Sequence, residues 1–165
     1  MNYLSEIVYG GTDGIITTYA IIASSIGIQL NPYAIVVIGL ASLIADAFSM
    51  ATSSYLSEEA RMNKKHSINV AIVTFVSFVF FGGIILLPYF YSFYNPTYTP
   101  TFNVFVILSS IILAIIGLLR GYKKPIGKKV ISVIETVSIG LIASIISYVI
   151  AKQMETYYSK NNIEL

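Results

Sequence analysis

Charged side chains are absent from long runs of this chain. No Asp, Glu, Lys or Arg occurs between Gly14 and Ala45 or between Ser67 and Leu119, and Glu135 stands alone between Val130 and Ala151. Inside these runs the apolar residues do not alternate with a period of two, as the strands of a membrane barrel do. Ile35-Val36-Val37-Ile38-Gly39-Leu40 and Ile111-Ile112-Leu113-Ala114-Ile115-Ile116 are apolar all round. A helix needs roughly 20 apolar residues to cross a hydrocarbon core of about 30 Å. The first run holds most of two such spans, broken at Gln29-Leu30-Asn31-Pro32, where Asn-Pro gives a turn and a ready first helical residue. The second holds two, broken in the turn-rich, aromatic stretch from Tyr91 to Pro100. The third holds one. The pattern therefore predicts an all-α integral membrane protein of a single domain, with five transmembrane helices over about 5–30, 32–59, 67–91, 101–120 and 127–152.

Composition agrees. Hydrophobic residues make up 56% and charged residues 11% of the 165 positions, and the mean hydropathy is +0.77. A water-facing surface needs more charge than this, near a quarter of residues. The net charge of +2, with no basic stripe, argues against a nucleic-acid partner. The absence of cysteine removes thiolate ligands and thiol nucleophiles. No Ser/His/Asp set, phosphate loop or zinc motif is present, so no enzyme is expected. The first basic residue is Arg61, which excludes the positive leading segment of a signal peptide. Arg61, Lys64 and Lys65 follow helix 2, and Arg120, Lys123, Lys124, Lys128 and Lys129 follow helix 4, whereas the other two connections carry no basic residue. The positive-inside rule then puts the N-terminus in the cytosol and the C-terminus outside.

Three acids fall within the spans: Asp13, Asp46 and Glu135. Intramembrane carboxylates are costly and point to function by default. At 1.5 Å per helical residue, Asp13, Met50 and Glu135 lie at one level, roughly 8–10 Å from the cytoplasmic edge, with Asp46 one turn deeper. Asp46 and Met50 are four apart and share a helix face. Met50 is the methionine set deep in a span, and a thioether among carboxylates suits a borderline cation such as Fe²⁺ or Mn²⁺ better than Mg²⁺ or Ca²⁺. Blander roles stand beside these. Met50 can be packing, Asp13 can cap or bend helix 1 at Gly10-Gly11-Thr12-Asp13-Gly14, and Glu135 can be neutralised by a nearby Lys. Gly10, Gly11 and Gly14 give helix 1 a surface for close helix approach, the face expected to pack and to pair two copies in a dimer. Glu58 and Glu59, with His66 a weaker candidate, sit at the cytoplasmic end of helix 2, either collecting cations or simply facing headgroups.

Gly10-Gly11-Thr12-Asp13-Gly14-Ile15-Ile16-Thr17 resembles the first-helix signature of the vacuolar iron transporter family. The stretch Gly39 to Met50, followed by Tyr55-Leu56, resembles its second-helix signature, and Lys129 to Ala151 is similar to its fifth helix. The resemblance implies a homodimer in which helix 1 of each protomer lines a central path. Fe²⁺, often also Mn²⁺, would leave the cytosol in exchange for protons, with Asp13 and Met50 as intramembrane ligands. It implies the cell membrane in a prokaryote and a storage-organelle membrane in a eukaryote. Two features depart from the family. Many members carry a glutamate-rich cytosolic domain between helices 2 and 3, where this chain has only the short run Ala60 to His66. The glutamate often found eight residues before the methionine is Ser42 here, and Asp46 is the candidate replacement. Two rivals to a proton-coupled exporter share the fold, a non-transporting scaffold subunit and a passive cation channel.

Overall fold

Asn31 fixes the start of the second helix as the sequence leads one to expect. Its backbone is extended, its side chain accepts a hydrogen bond from the Ala34 N–H at 2.8 Å, and Pro32 follows as the first helical residue. The computed structural model describes residues 3–61, 64–95, 97–98 and 102–160. Five helices appear in the expected order: α1 Leu4–Gly27, α2 Pro32–Ala60, α3 Lys64–Tyr94, α4 Phe102–Arg120 and α5 Ile126–Lys160. No strand occurs among the described residues. Met62, Pro96, Thr99 and Pro100, which the sequence places in connections, lie outside the described residues.

α3 extends three residues beyond the expected span at each end, and two other boundaries differ for identifiable reasons. α1 stops at Gly27, because Gln29 takes a left-handed conformation (φ 57°) and the Gln29 and Leu30 N–H groups turn back to the Ile26 and Ser25 carbonyls. This is a Schellman closure with glutamine where glycine is usual. α5 runs on to Lys160, past the apolar span. Helical hydrogen bonding does not end where hydropathy ends, and the Lys152–Glu155 pair at 2.8 Å supports the added turns. Pro88 sits inside α3 without ending it, as membrane helices tolerate.

Four helices, α2 to α5, are long and apolar enough to cross a membrane on their own. α1 has the length, 24 residues, but its Gly, Thr, Ser and Asp content holds its hydropathy lower. Its position explains this. α1 packs against each of the other four helices, so lipid need not accept most of its surface. Ile15, Tyr19 and Ile22 of α1 meet Phe78, Ile85 and Leu86 of α3, with Phe105, Leu113 and Ile116 of α4, in one buried cluster. Serine and threonine are buried with them, among them Thr18, Ser109, Thr136 and Ser144. Several bond back to their own helix, as Ser109 does to the Phe105 carbonyl and Thr136 to that of Ser132, both at 2.8 Å. The outer faces carry Ile44, Phe48, Ile72, Phe80, Ile111 and Ile145, all exposed. Hydroxyls inside and large apolar groups outside are the reverse of a water-soluble bundle and match a lipid surround. The chain is an integral membrane protein.

The glycines of α1 are committed within the chain. A Cβ on Gly10 would lie 2.5 Å from the Thr74 carbonyl oxygen, one on Gly14 would overlap the Phe78 carbonyl oxygen, and one on Gly11 would strike Ile116 and Phe81. Gly82 of α3 answers from the other side, where a Cβ would come within 2.8 Å of the Gly14 carbonyl oxygen. The close-approach surface expected on helix 1 therefore exists, but α3 and α4 of the same chain occupy it. These three glycines are not a free dimer face.

Candidate functional site

The side of α1 opposite its glycines is only partly covered. Ser5, Tyr9 and Asp13, four residues apart, form a single exposed stripe. α1 continues helically through Gly10–Gly14, so Asp13 neither caps nor breaks the helix. α2 flanks this stripe with a polar face of its own. Asp46, Met50, Ser53 and Ser57 recur at helical spacing, with Ser49 beside them. Between the two helices lies an open cleft of about 370 Å³, lined by Tyr9, Asp13, Thr17, Asp46, Ser49, Met50 and Ser53. Asp13, Asp46 and Met50 thus meet in one cleft. The two carboxylates line this cleft together. Among the described residues neither is hydrogen-bonded or ion-paired. Met50 is buried at 8% exposure and is one of the residues of the cleft wall.

The cleft continues toward the end of α2. Tyr9 and Ser53 also line a second cleft of about 400 Å³, whose other walls include Glu6, Ser54, Ser57, Glu58 and Arg61. Glu6 and Glu58 therefore line a cleft that shares the Tyr9 and Ser53 walls with the Asp13–Asp46 cleft. Glu58 lies 3.8 Å from Arg61, so the guanidinium shares this mouth. Glu59 does not line the groove. His66 stacks on Tyr3, ring centroids 5.4 Å apart, and lines neither cleft. A third and larger cleft, about 720 Å³ and mostly apolar, runs along the other flank of α1. Asp13 and Met50 reach into it as well, with Thr136 of α5 and Arg120 of α4.

Glu135 is not gathered with the other acids. It lies outside the linings of all three clefts, and its Oε2 is 3.0 Å from Nη2 of Arg120. Depth along a helix places Glu135 level with Asp13, but depth does not give the direction around the helix. Thr136, one residue and about 100° further on, lines the large cleft beside α1 instead. Its neutralising partner is an arginine from α4 rather than the lysine the sequence suggested. Glu6, Tyr9, Thr17, Ser49, Ser53 and Ser57 were not singled out from the sequence. Their spacing from Asp13 and Met50 carries the signal: Glu6 is seven residues before Asp13, and Ser53 and Ser57 are three and seven after Met50.

Two carboxylates and a thioether form a mixed hard and soft donor set, extended by hydroxyls of Thr17 and Ser49. Among the described residues no cluster of three or more Asp, Glu, His or Cys side chains is present. Such a set is open on one side, unlike the complete four-ligand shell of a closed structural site.

The model of the VIT family matches residues 4–67 and 58–152. The chain belongs to the VIT family. The two matched stretches meet at the α2–α3 connection. Curated relatives agree over a shorter range. A Toxoplasma gondii protein named vacuolar iron transporter is 41% identical over 59 residues, 36% of this chain and 20% of that protein. Proteins of the same name from Plasmodium berghei and Plasmodium falciparum are 37% identical over 62 residues and 40% over 58. The aligned parts span only about a fifth of these relatives' length, 20 to 23%. No solved structure matches the chain.

Proposed function

We propose that this VIT-family protein moves divalent iron, and with it manganese, out of the cytosol in exchange for protons. One observation carries the proposal. Asp13, Asp46 and Met50 line a single cleft, and an adjoining cleft that shares its Tyr9 and Ser53 walls is lined by Glu6 and Glu58. A charged carboxylate pair in low dielectric requires a counter-charge, and a divalent cation or protons can supply it in turn. Loading the metal would displace protons, and protonation from the far side would release the metal. The names of the relatives support iron as cargo. The basic connections support an N-terminus in the cytosol, so that Glu6 and Glu58 form the cytosolic mouth.

We further propose that two copies pair through the open stripe of α1 at Ser5, Tyr9 and Asp13. The small donor set supports this. Across a two-fold axis each donor is doubled, which brings the ligand number toward the six common for Fe²⁺ and Mn²⁺. Asp46 would fill the role of the glutamate missing at position 42, because it faces the same cleft as Met50. The test is metal flux into proteoliposomes across a panel of divalent ions, with the pH of both compartments recorded. Iron and manganese flux accelerated by an acidic trans side, with matched proton counter-flow, is the expected result. Flux indifferent to the pH gradient would make the protein a passive channel. No flux from a folded protein would leave a scaffold.

A further inference from the structure

The turn between α4 and α5 is the most basic part of the chain. Arg120, Lys123, Lys124, Lys128 and Lys129 make up five of its ten basic residues, and no acid occurs among them. The turn is closed on itself. The Gly121 N–H donates to the Gly117 carbonyl at 3.0 Å, the Tyr122 N–H to that of Leu119 at 3.1 Å and the Lys124 N–H to that of Gly121 at 2.9 Å. Gly121 is buried against α5, where a Cβ would stand 3.1 Å from Lys129 Cα. The five cations are therefore gathered at one end of the α4–α5 hairpin. Little of their charge is met inside the protein. Arg120 rests on Glu135, and Lys124 Nζ donates to the neutral Ser132 hydroxyl at 3.1 Å. Among the described residues Lys123, Lys128 and Lys129 have no acidic partner. Lys128 and Lys129 also occupy the first turn of α5, where the helix dipole favours negative charge and no acid is present. Between the lysines stand Tyr122 and Ile126, 67% and 80% exposed.

We propose that the α4–α5 turn is a binding surface for anionic phospholipid headgroups of the leaflet in which it sits. Large apolar side chains exposed at the tip of a basic turn are out of place in water. They fit a headgroup layer, where a tyrosine ring and an isoleucine reach toward the acyl chains while lysine ammoniums donate to phosphate oxygens. A phosphate there also supplies the negative charge that the start of α5 lacks. A zwitterionic headgroup brings an ammonium of its own, so the net negative lipid is the one enriched. Each lysine near a membrane surface contributes about fivefold to the attraction for anionic lipid. The other basic connection lacks this combination, because Arg61 lies 3.8 Å from Glu58 and Glu59 follows in the chain. The proposal is independent of the metal, of the direction of transport and of the dimer.

The chain has no tryptophan, so Tyr122→Trp places a single fluorophore on the turn and keeps an interfacial ring there. The full chain with this reporter is reconstituted into phosphatidylcholine bilayers containing brominated phosphatidylglycerol. Quenching then reads the enrichment of the anionic lipid at the turn over its bulk fraction. Enrichment of about fivefold or more is expected. Lys123→Gln, Lys128→Gln and Lys129→Gln together should bring it close to one, whereas the same three positions changed to Arg should keep it. Changing Arg61, Lys64 and Lys65 to Gln instead should leave it in place. Elution profile and melting temperature verify folding of each variant. Absence of enrichment at the parent reporter overturns the proposal without recourse to any variant. Equal loss in the two Gln triples also overturns it, because the lipid then answers to net charge and not to this turn. Inorganic phosphate in excess should leave the quenching unchanged. Full reversal by phosphate overturns the lipid assignment and makes the turn a site for a soluble anion.

Discussion

Two glycines only a few ångströms apart in this bundle should respond to the same substitution with opposite sign. A methyl on Gly14 of α1 would overlap the Phe78 carbonyl oxygen and stand 3.0 Å from both the carbonyl carbon and Cα of that residue. All three atoms are backbone of α3, so no side chain can turn aside. Carbon contacts settle at about 3.5–4.0 Å, and α1 and α3 would have to part by roughly half an ångström or more. Overpacking of this kind costs about 1–3 kcal/mol, and a backbone-on-backbone clash belongs at the upper end. Replacing a helical glycine by alanine returns up to about 1 kcal/mol of helix propensity. The net for Gly14→Ala is about 2 kcal/mol of destabilisation. A methyl on Gly83 of α3 meets only Leu43 Cδ2 at 3.8 Å, an ordinary contact. Gly83→Ala should therefore be neutral or up to about 1 kcal/mol stabilising. Reversible unfolding in mixed detergent micelles, followed by circular dichroism at several protein concentrations, measures both. The Gly14 effect should not depend on concentration, because the contact lies inside one chain. A neutral Gly14→Ala would refute the packing argument, as would a Gly83→Ala equally harmful. A Gly14 effect seen only as weakened self-association would return the glycines to a dimer face.

Three further outcomes are expected. Asp13→Asn and Asp46→Asn, which keep shape and remove charge, should each abolish metal flux in proteoliposomes while leaving the melting temperature within a few degrees of the parent. Met50→Leu keeps volume and removes the sulfur, so Fe²⁺ uptake should fall more than Mn²⁺ uptake in a competition assay, since the softer cation gains more from a thioether; equal losses would make Met50 packing alone. The chain has no native cysteine, so Tyr9→Cys should cross-link between protomers in membranes while Gly10→Cys, turned into α3, should not; the reverse pattern would place the partner on the glycine side.

The number and order of the helices were legible because lipid leaves the backbone one solution, and runs without charge mark where it applies. The Asn31-Pro32 start was legible for a local reason, a side-chain cap followed by a residue suited to the first helical turn. The convergence of Asp13, Asp46 and Met50 on one cleft could be anticipated from depth together with the four-residue spacing of the latter two. Two features were hidden. Depth gives no azimuth, so Glu135 looked level with the site although it faces Arg120. A small-residue face announces close approach without saying to whom, and Gly10 and Gly14 meet α3 rather than a second copy. The serines of α2 escaped notice because single serines are unremarkable in membrane helices. Only their alignment with Asp46 and Met50 gives them meaning.

The placement of polarity in this bundle follows from the use of α1. A helix carrying Asp13 and Glu6 is a poor membrane span by itself, yet it forms the centre of the fold. Gly10, Gly11 and Gly14 bring one side of it against α3 and α4 so closely that it cannot shift without moving their backbones or buried side chains. The opposite side, with Ser5, Tyr9 and Asp13, is left open between two clefts. The glycines therefore serve the carboxylate indirectly. They hold one side of the helix firmly so that the other can present a charge where no packed neighbour neutralises it. A transporter needs this asymmetry. A site embedded on all sides would bind its ion permanently, and a helix free on all sides would not keep a carboxylate at a defined depth.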